Sequence, residues 1–480
     1  MSEQRIELLI DNRPVATAGH AEVRDPGRVR EVVGLVAQAT AAEVDDAVSA
    51  AHRAFADWKR TTPEYRAGLL IETAALLESE GPGLVELMAR ESGMLVPINR
   101  AEIGMAANIV RDNAELAPPF LAGNAFEDDA SRVWVDRKPV GVIAAIVPWN
   151  APIILTMRKL APALACGNTI VVKPAPTAPL AISLLLSRIA ALLPPGVLNV
   201  VHGGAEAGEA LVTNPNVRKI SFTGGGAVAA AVMRSAAASI KGVQFELGGN
   251  DPAILLDDAD LDQAVPRIVG GAFRRSGQFC FAVKRVYVPK ILHRRFVEMV
   301  RAEVDRFAVG HPLDAGTTFG PMNNRGQRDF VAGLVERTRR AGAEVIELGS
   351  KVAPERWNEG YYLLPAIVPD ATQDMEVVRV EQFGPLLPVV AYDSENEAIA
   401  MANDSELGLG SSVWSRDTGR AIALARRIEA GMTFVNQAGT SRLGQRNIPF
   451  GGVKQSGIGR ESSVVGLSEY VEYHAINQHF

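Results

Sequence analysis

The chain has 480 residues, too many for one ordinary core and enough for two or three domains. With 47% hydrophobic and 22% charged residues it reads as a soluble globular protein, and its net charge of −6, mixed along the chain, excludes a basic tail or stripe for nucleic acid. Two cysteines, Cys166 and Cys280, cannot build a disulfide framework and fit a reducing compartment.

In chain order, the first hundred residues read as helical, with apolar residues at helical spacing over 42–58 and 65–79. The opening Met1-Ser2-Glu3-Gln4-Arg5 leads into no signal-peptide apolar core. The most apolar stretch, 140–164, is broken by Pro148, Asn150, Pro152, Arg158, Lys159 and Pro162. It reads as a strand, a turn and a helix rather than a membrane span, so a cytoplasmic protein without a membrane partner is expected. From 140 the rhythm alternates: strands over 140–147, 169–172, 197–201 and 218–222, helices over 152–164, 180–193, 205–212 and 227–238. This alternation predicts a parallel doubly wound sheet, which binds ligands at the carboxyl ends of its strands. Pro148-Trp149-Asn150, Lys173-Pro174, Gly203-Gly204 and Thr223-Gly224-Gly225-Gly226 follow strands directly. A second alternating α/β region runs from about 250 to about 444. The tail, 466–480, alternates apolar and polar residues, as a strand pairing with another subunit or a plain surface strand would.

Three segments carry candidate chemistry. Gly224-Gly225-Gly226-Ala227-Val228-Ala229 fits G-x-G-x-x-A between a strand and a helix. It is either a pyrophosphate cradle or a tight turn in an alanine-rich unit, and Glu246 stands where a ribose-binding acid is expected. Cys280, in Ser276-Gly277-Gln278-Phe279-Cys280, is either a small buried hydrophobe or a nucleophile on a loop. None of the seven histidines falls in a segment that reads as catalytic or shows metal-ligand spacing. A nucleophilic thiol would need another activator, and no metal is expected. Glu246, in Phe245-Glu246-Leu247-Gly248-Gly249-Asn250, is a general base or an ordinary loop carboxylate.

Taken together, eight segments stand in a familiar order. They are Pro148-Trp149-Asn150, Val172-Lys173-Pro174, Phe222-Thr223-Gly224, Glu246-Leu247-Gly248-Gly249, Gly277-Gln278-Phe279-Cys280, Glu381-Gln382-Phe383-Gly384-Pro385, Asn403-Asp404-Ser405, and Pro449-Phe450-Gly451-Gly452-Val453-Lys454 with Ser456-Gly457. Over essentially its whole length the chain resembles the aldehyde dehydrogenase superfamily. The resemblance implies an α/β fold: a Rossmann-type cofactor domain (1–118 and 139–248), an α/β catalytic domain (249–444) and a small oligomerisation strand element (119–138 and 465–480). A homo-oligomer, dimer or tetramer, is expected.

The resemblance also assigns roles. Cys280 becomes the nucleophile toward a small-molecule aldehyde, and Asn150 with the Cys280 backbone N–H holds the oxyanion. Glu246 becomes the base that hydrolyses a thioester, not a ribose ligand, which makes the G-x-G-x-x-A match partly accidental. Trp149, Lys173, Thr223, Gly224, Gly225, Leu247, Glu381 and Phe383 fall on cofactor positions. Three departures stand out: Pro176 where the family often has an acid for the ribose hydroxyls, Gly225 for a serine, and Ala229 for a glycine. NAD is expected as cofactor, with NADP also accepted. Leu155, Phe279, Phe281 and Phe450 match tunnel positions and favour an apolar or aromatic aldehyde. Arg158 and Arg274 match carboxylate-binding arginines of succinic-semialdehyde dehydrogenases, with a surface-facing helix position as the plain alternative for Arg158. Transfer of the acyl group to coenzyme A is disfavoured by Glu246, and a non-catalytic binding paralogue by Cys280, Glu246 and Asn150 together.

Overall fold

The computed structural model describes residues 4–480. The chain opens in strands, not helices: β1 (Gln4–Ile6), β2 (Leu8–Ile10), β3 (Arg13–Val15), β4 (Gly19–Asp25) and β5 (Arg28–Gln38) precede the first helix. This corrects the helical reading of the first hundred residues. The first three strands are three residues each, too short for a visible alternation, and Pro26-Gly27 interrupts the pattern between β4 and β5. β2 is nonetheless fully buried, because it pairs with a strand far along the chain through Leu9 and Val200.

Helices then follow as the periodicity requires: α1 (Ala41–Trp58), α2 (Pro63–Glu80), α3 (Val85–Ser92) and α4 (Val96–Leu121). Thr40 and Glu43 form a capping box on α1, while Thr62 caps α2 ahead of Pro63 at its first position. After β6 (Asn124–Glu127) and β7 (Ser131–Pro139) comes the expected alternation. It runs β8 (Val142–Ile146), α5 (Pro152–Ala165), β9 (Thr169–Lys173), α6 (Leu180–Ala190), β10 (Leu198–Val200), α7 (Ala205–Thr213), β11 (Val217–Thr223), α8 (Gly226–Ala237) and β12 (Gly242–Glu246). The second region contributes β13 (Asp251–Leu255), α9 (Leu261–Phe273), β14 (Val283–Pro289), α10 (Lys290–Val304), α11 (Arg325–Arg340), β15 (Ile346–Glu347), β16 (Ala366–Val368), β17 (Leu386–Tyr392), β18 (Ser412–Trp414) and β19 (Phe434–Val435). β20 (Gly457–Ile458) and β21 (Val471–His479) close the chain.

An eight-stranded sheet runs β20-β12-β11-β8-β9-β10-β2-β3, with β12 through β10 parallel. Leu70, Ile103, Met157 and Leu186 cover one face from α2, α4, α5 and α6; Val44, Leu211 and Val232 cover the other from α1, α7 and α8. Burial on both faces is why these strands read as unbroken apolar runs. A seven-stranded sheet runs β15-β16-β17-β14-β13-β18-β19. A third sheet of three strands, β21-β7-β6, pairs the tail with Ser131–Pro139 of the same chain and leaves β21 an open edge.

The parallel sheet positions the site. β8 runs out into Pro148-Trp149-Asn150, β9 ends on Lys173, and β11 and β12 end side by side on Thr223 and Glu246. The second sheet starts five residues later, at Asp251. Among the described residues no helix is long and apolar enough to cross a membrane.

Candidate active site

A cleft of about 640 Å³ opens at these strand ends. The three expected catalytic residues, Asn150, Glu246 and Cys280, all line it. Trp149, Thr223, Gly224, Gly225, Leu247, Glu381 and Phe383 line it too, as does Leu155. Lys173 does not; it is buried at the end of β9.

The Cys280 loop is strained and pinned. Arg275 and Ser276 adopt left-handed φ values of 55° and 57°, which non-glycine residues hold only when the surroundings enforce it. Ser276 Oγ donates to the Gly320 carbonyl at 2.8 Å. The buried Gln278 side chain donates to the Pro321 carbonyl at 3.2 Å and accepts from the Asn323 N–H at 2.9 Å. The Asn150 amide donates to the Gln278 carbonyl at 3.0 Å. An amide nitrogen carries two hydrogens, so one remains for an oxyanion.

Behind Asn150 stand Arg275 and Glu102, which the sequence reading missed. The Glu102 carboxylate accepts from the N–H groups of Ile153 and Ile154 at 2.8 and 3.3 Å, capping α5, which has no side-chain cap of its own. Its other oxygen pairs with Arg275.

Glu246 is 2% exposed, and neither of its oxygens has a well-formed hydrogen bond. Burial, reinforced by Glu461, pushes its carboxyl up to about 8 against the pull of Lys159. Burial, then the Glu246 charge, raises the Cys280 thiol well above its ordinary value, and Lys284 opposes both. The two groups act on each other: the thiol holds the Glu246 carboxyl down while the Glu246 charge pushes the thiol up. Lys159 and Glu461, also missed, form a buried ion pair at 2.7 Å beyond Glu246. No motif marks them, because Glu461 comes from the far end of the chain.

The remaining substrate candidates form a ladder beside the thiol. Phe279 and Phe281 meet edge to face at 5.3 Å, and Phe281 and Phe450 at 5.6 Å. A guanidinium covers each end: Arg158 lies 4.1 Å from the Phe450 ring and Arg274 5.1 Å from that of Phe279. Arg158 does not face the subunit surface, since its side chain is only 10% exposed. Glu461 stands 3.6 Å from it, yet its Nε and Nη1 reach no hydrogen-bond acceptor. Arg274 also opens onto a separate cavity of about 250 Å³ behind Phe273.

The cleft suits a dinucleotide. α8 begins at Gly225-Gly226 without a side-chain cap, and a Cβ at either glycine would meet only open space, so its first N–H groups are accessible to a phosphate. Trp149 and Phe383 meet edge to face at 5.7 Å, Phe383 at a left-handed φ of 45°. Glu381 is held by Lys284 and by the Gly249 N–H, each at 3.1 Å. Burial alone brings the Lys173 ammonium down to about 8, with no carboxylate acting on it among the described residues.

The model of the aldehyde dehydrogenase family matches residues 15–476. The chain belongs to the aldehyde dehydrogenase family. It is 38% identical to a 3-sulfolactaldehyde dehydrogenase of Pseudomonas putida, over 91% of this chain and 89% of that one. An NADP-dependent enzyme of E. coli superposes with a TM-score of 0.94 at 34% identity, covering 99% of this chain and 98% of the other. Betaine aldehyde dehydrogenase of Staphylococcus aureus, in complex with NAD+, does so with a TM-score of 0.94 at 29% identity, covering 98% and 94%. This aldehyde dehydrogenase is therefore an oxidoreductase with its family's α/β fold, as the resemblance implied.

Proposed function

We propose that this aldehyde dehydrogenase oxidises its substrate to a carboxylic acid through a covalent intermediate on Cys280, with Glu246 as the base. The observation that carries the reading is the meeting, in one cleft, of the partly exposed Cys280 thiol and the buried Glu246 carboxyl, whose oxygens have no hydrogen-bond partner among the described residues. On attack the Cys280 sulfur bonds the carbonyl carbon and its proton passes to Glu246. The oxyanion lies toward the free Asn150 N–H and the Cys280 backbone N–H, donors that can each be worth ~3 kcal/mol. Trp149, Glu381, Phe383 and the α8 N-terminus would hold NAD(P), which would supply the hydride acceptor for the thiohemiacetal carbon. A thioester remains on Cys280. Glu246 first releases the thiol proton to solvent; once ionised it takes a proton from water as the water oxygen attacks the thioester, and it passes that proton to the Cys280 sulfur as the acid leaves. Because Glu246 can activate water, hydrolysis is favoured over transfer to coenzyme A.

NAD is the main cofactor in this reading and NADP is accepted. The open α8 N-terminus, Lys173 free of a facing carboxylate and Pro176 support it. The rings of Phe281 and Phe450, with Leu155, support an apolar or aromatic body for the aldehyde. A second reading has its own observation: Arg158 is desolvated with donors to spare, which suits an anionic far end such as a carboxylate or sulfonate. The likeness to a 3-sulfolactaldehyde dehydrogenase supports the same reading.

In the same reading residues 1–118 and 139–248 bind the cofactor, 249–444 carry the catalytic domain, and 119–138 with 465–480 form the oligomerisation element. Phe126, Tyr473, Ile476 and Phe480, exposed on or beside the three-stranded sheet, support a homo-oligomer that pairs through it. Two free thiols support a cytoplasmic location.

NAD(P)H absorbance with an aldehyde panel tests the proposal. Cys280→Ala is expected to abolish turnover and keep cofactor binding; retained turnover in the folded variant would remove the covalent mechanism. If the far end of the substrate is anionic, succinic semialdehyde or 3-sulfolactaldehyde outruns an uncharged analogue, and Arg158→Ala erases the advantage. A preference for alkyl or aromatic aldehydes that survives Arg158→Ala would leave the apolar reading.

A further inference from the structure

Lys284 lies four residues past Cys280, near the start of β14, and its side chain is 2% exposed. Its ammonium donates to the Cys280 backbone carbonyl at 2.5 Å and pairs with Glu381 at 3.1 Å. Two glycines make this packing possible. A Cβ at Gly248 would stand 2.0 Å from Glu381 Oε2; one at Gly249 would stand 2.3 Å from Asp251 Oδ1 and 2.9 Å from the Cys280 carbonyl oxygen. The backbone is bare where two carboxylates and the Cys280 loop converge.

The charges around this point are unequal. Glu246 from β12 and Asp251 from β13 act on the thiol as negative groups, and Lys284 is the cation that acts against them. Lys284 itself faces Glu381, ahead of β17, and Asp251. The neighbouring Arg285 also acts on Asp251, but its guanidinium donates to Asn250, Tyr287, Met401 and Ala402. Lys159 and Arg158 act on Glu246 rather than directly on the thiol.

We propose that Lys284 is a positioning residue for the oxidation: it ties the Cys280 carbonyl to Glu381, and its charge promotes thiolate formation at Cys280. This rests on Cys280 as the nucleophile. Glu381 shares the same ammonium, so whatever engages that carboxylate in the cofactor cleft changes how much of the Lys284 charge the sulfur feels.

The test is the pH dependence of Cys280 alkylation by iodoacetamide in the intact enzyme, with Cys280→Ala as the blank for Cys166. Lys284→Met is expected to move the midpoint up by about one pH unit or more, the size of shift that loss of a nearby opposite charge produces. Lys284→Arg should stay closer to the parent. Glu381→Gln should move the midpoint down, because the ammonium is no longer shared. Turnover of Lys284→Met should be low at neutral pH and recover as pH rises. An unmoved midpoint with a turnover loss equal at every pH would reduce Lys284 to packing and overturn the proposal. Should Lys284→Met fail to fold, Glu381→Gln decides: an unmoved or raised midpoint overturns it. Alkylation needs no turnover, so retained activity in Cys280→Ala would separately sink the nucleophile assignment.

Discussion

The Arg275 guanidinium donates to the Asn150 backbone carbonyl at 2.7 Å, so the residue expected to hold the oxyanion is itself held by the loop that carries Cys280. The second arm of Arg275 reaches Glu102 at 2.7 Å, and Glu102 caps the helix that follows Asn150. Arg275 thereby joins the α4 helix, the Asn150 turn and the nucleophile loop.

Arg275→Met is accordingly expected to lower kcat by about tenfold to a hundredfold, the range associated with small misplacements of reacting groups, with KM changed less. Steady-state kinetics with one good aldehyde check this. An unchanged kcat in the folded variant would show that Asn150 keeps its orientation without the arginine.

Glu246, Glu91 and Asp251 are buried carboxyls that desolvation pushes up to about 8, 8 and 7. Each keeps its proton in the folded chain at pH values where the unfolded chain has lost it. Folding then binds protons, and stability is expected to fall as pH rises from the unfolded values of 4.5 and 3.8 through the folded ones. Glu246→Gln removes one contributor. Its Tm should therefore drop less than the parent's between about pH 5 and about pH 9. Parallel Tm profiles would mean that Glu246 titrates alike in both states.

Much of this was legible in the sequence, for local reasons. The turn at Trp149-Asn150, the end of β12 at Glu246 and the Cys280 loop each follow an element whose apolar pattern is strong, so position along the strand predicts position at the sheet's rim. The short N-terminal strands were not legible, because β2 is a strand only through its pairing with β10 and β3. The supporting charges were hidden for the same reason: Glu102 and Arg275 are 173 residues apart, and Lys159 and Glu461 are 302 apart. Lys284 did leave a local trace, four residues after the cysteine, but nothing in the sequence shows that its side chain turns inward.

The cofactor reading turns on Pro176, three residues past Lys173. Proline offers neither charge to repel a 2′-phosphate nor oxygens for ribose hydroxyls. Pro176→Glu is expected to depress kcat/KM for NADP more than for NAD, since a carboxylate would face the phosphate across a short gap. An unchanged ratio of the two would place position 176 away from the ribose.

Cys280 as carrier of the acyl group and Glu246 as the residue that releases it are separable in one mixing experiment. Mixing Glu246→Gln with an aldehyde and NAD should give a burst of NADH of up to about one equivalent, slowed because glutamine cannot take the thiol proton, followed by still slower turnover. Mass spectrometry of the quenched protein should find one acyl group on the peptide that contains Cys280. Steady turnover at the parent rate, with no adduct on Cys280, would rule out both roles.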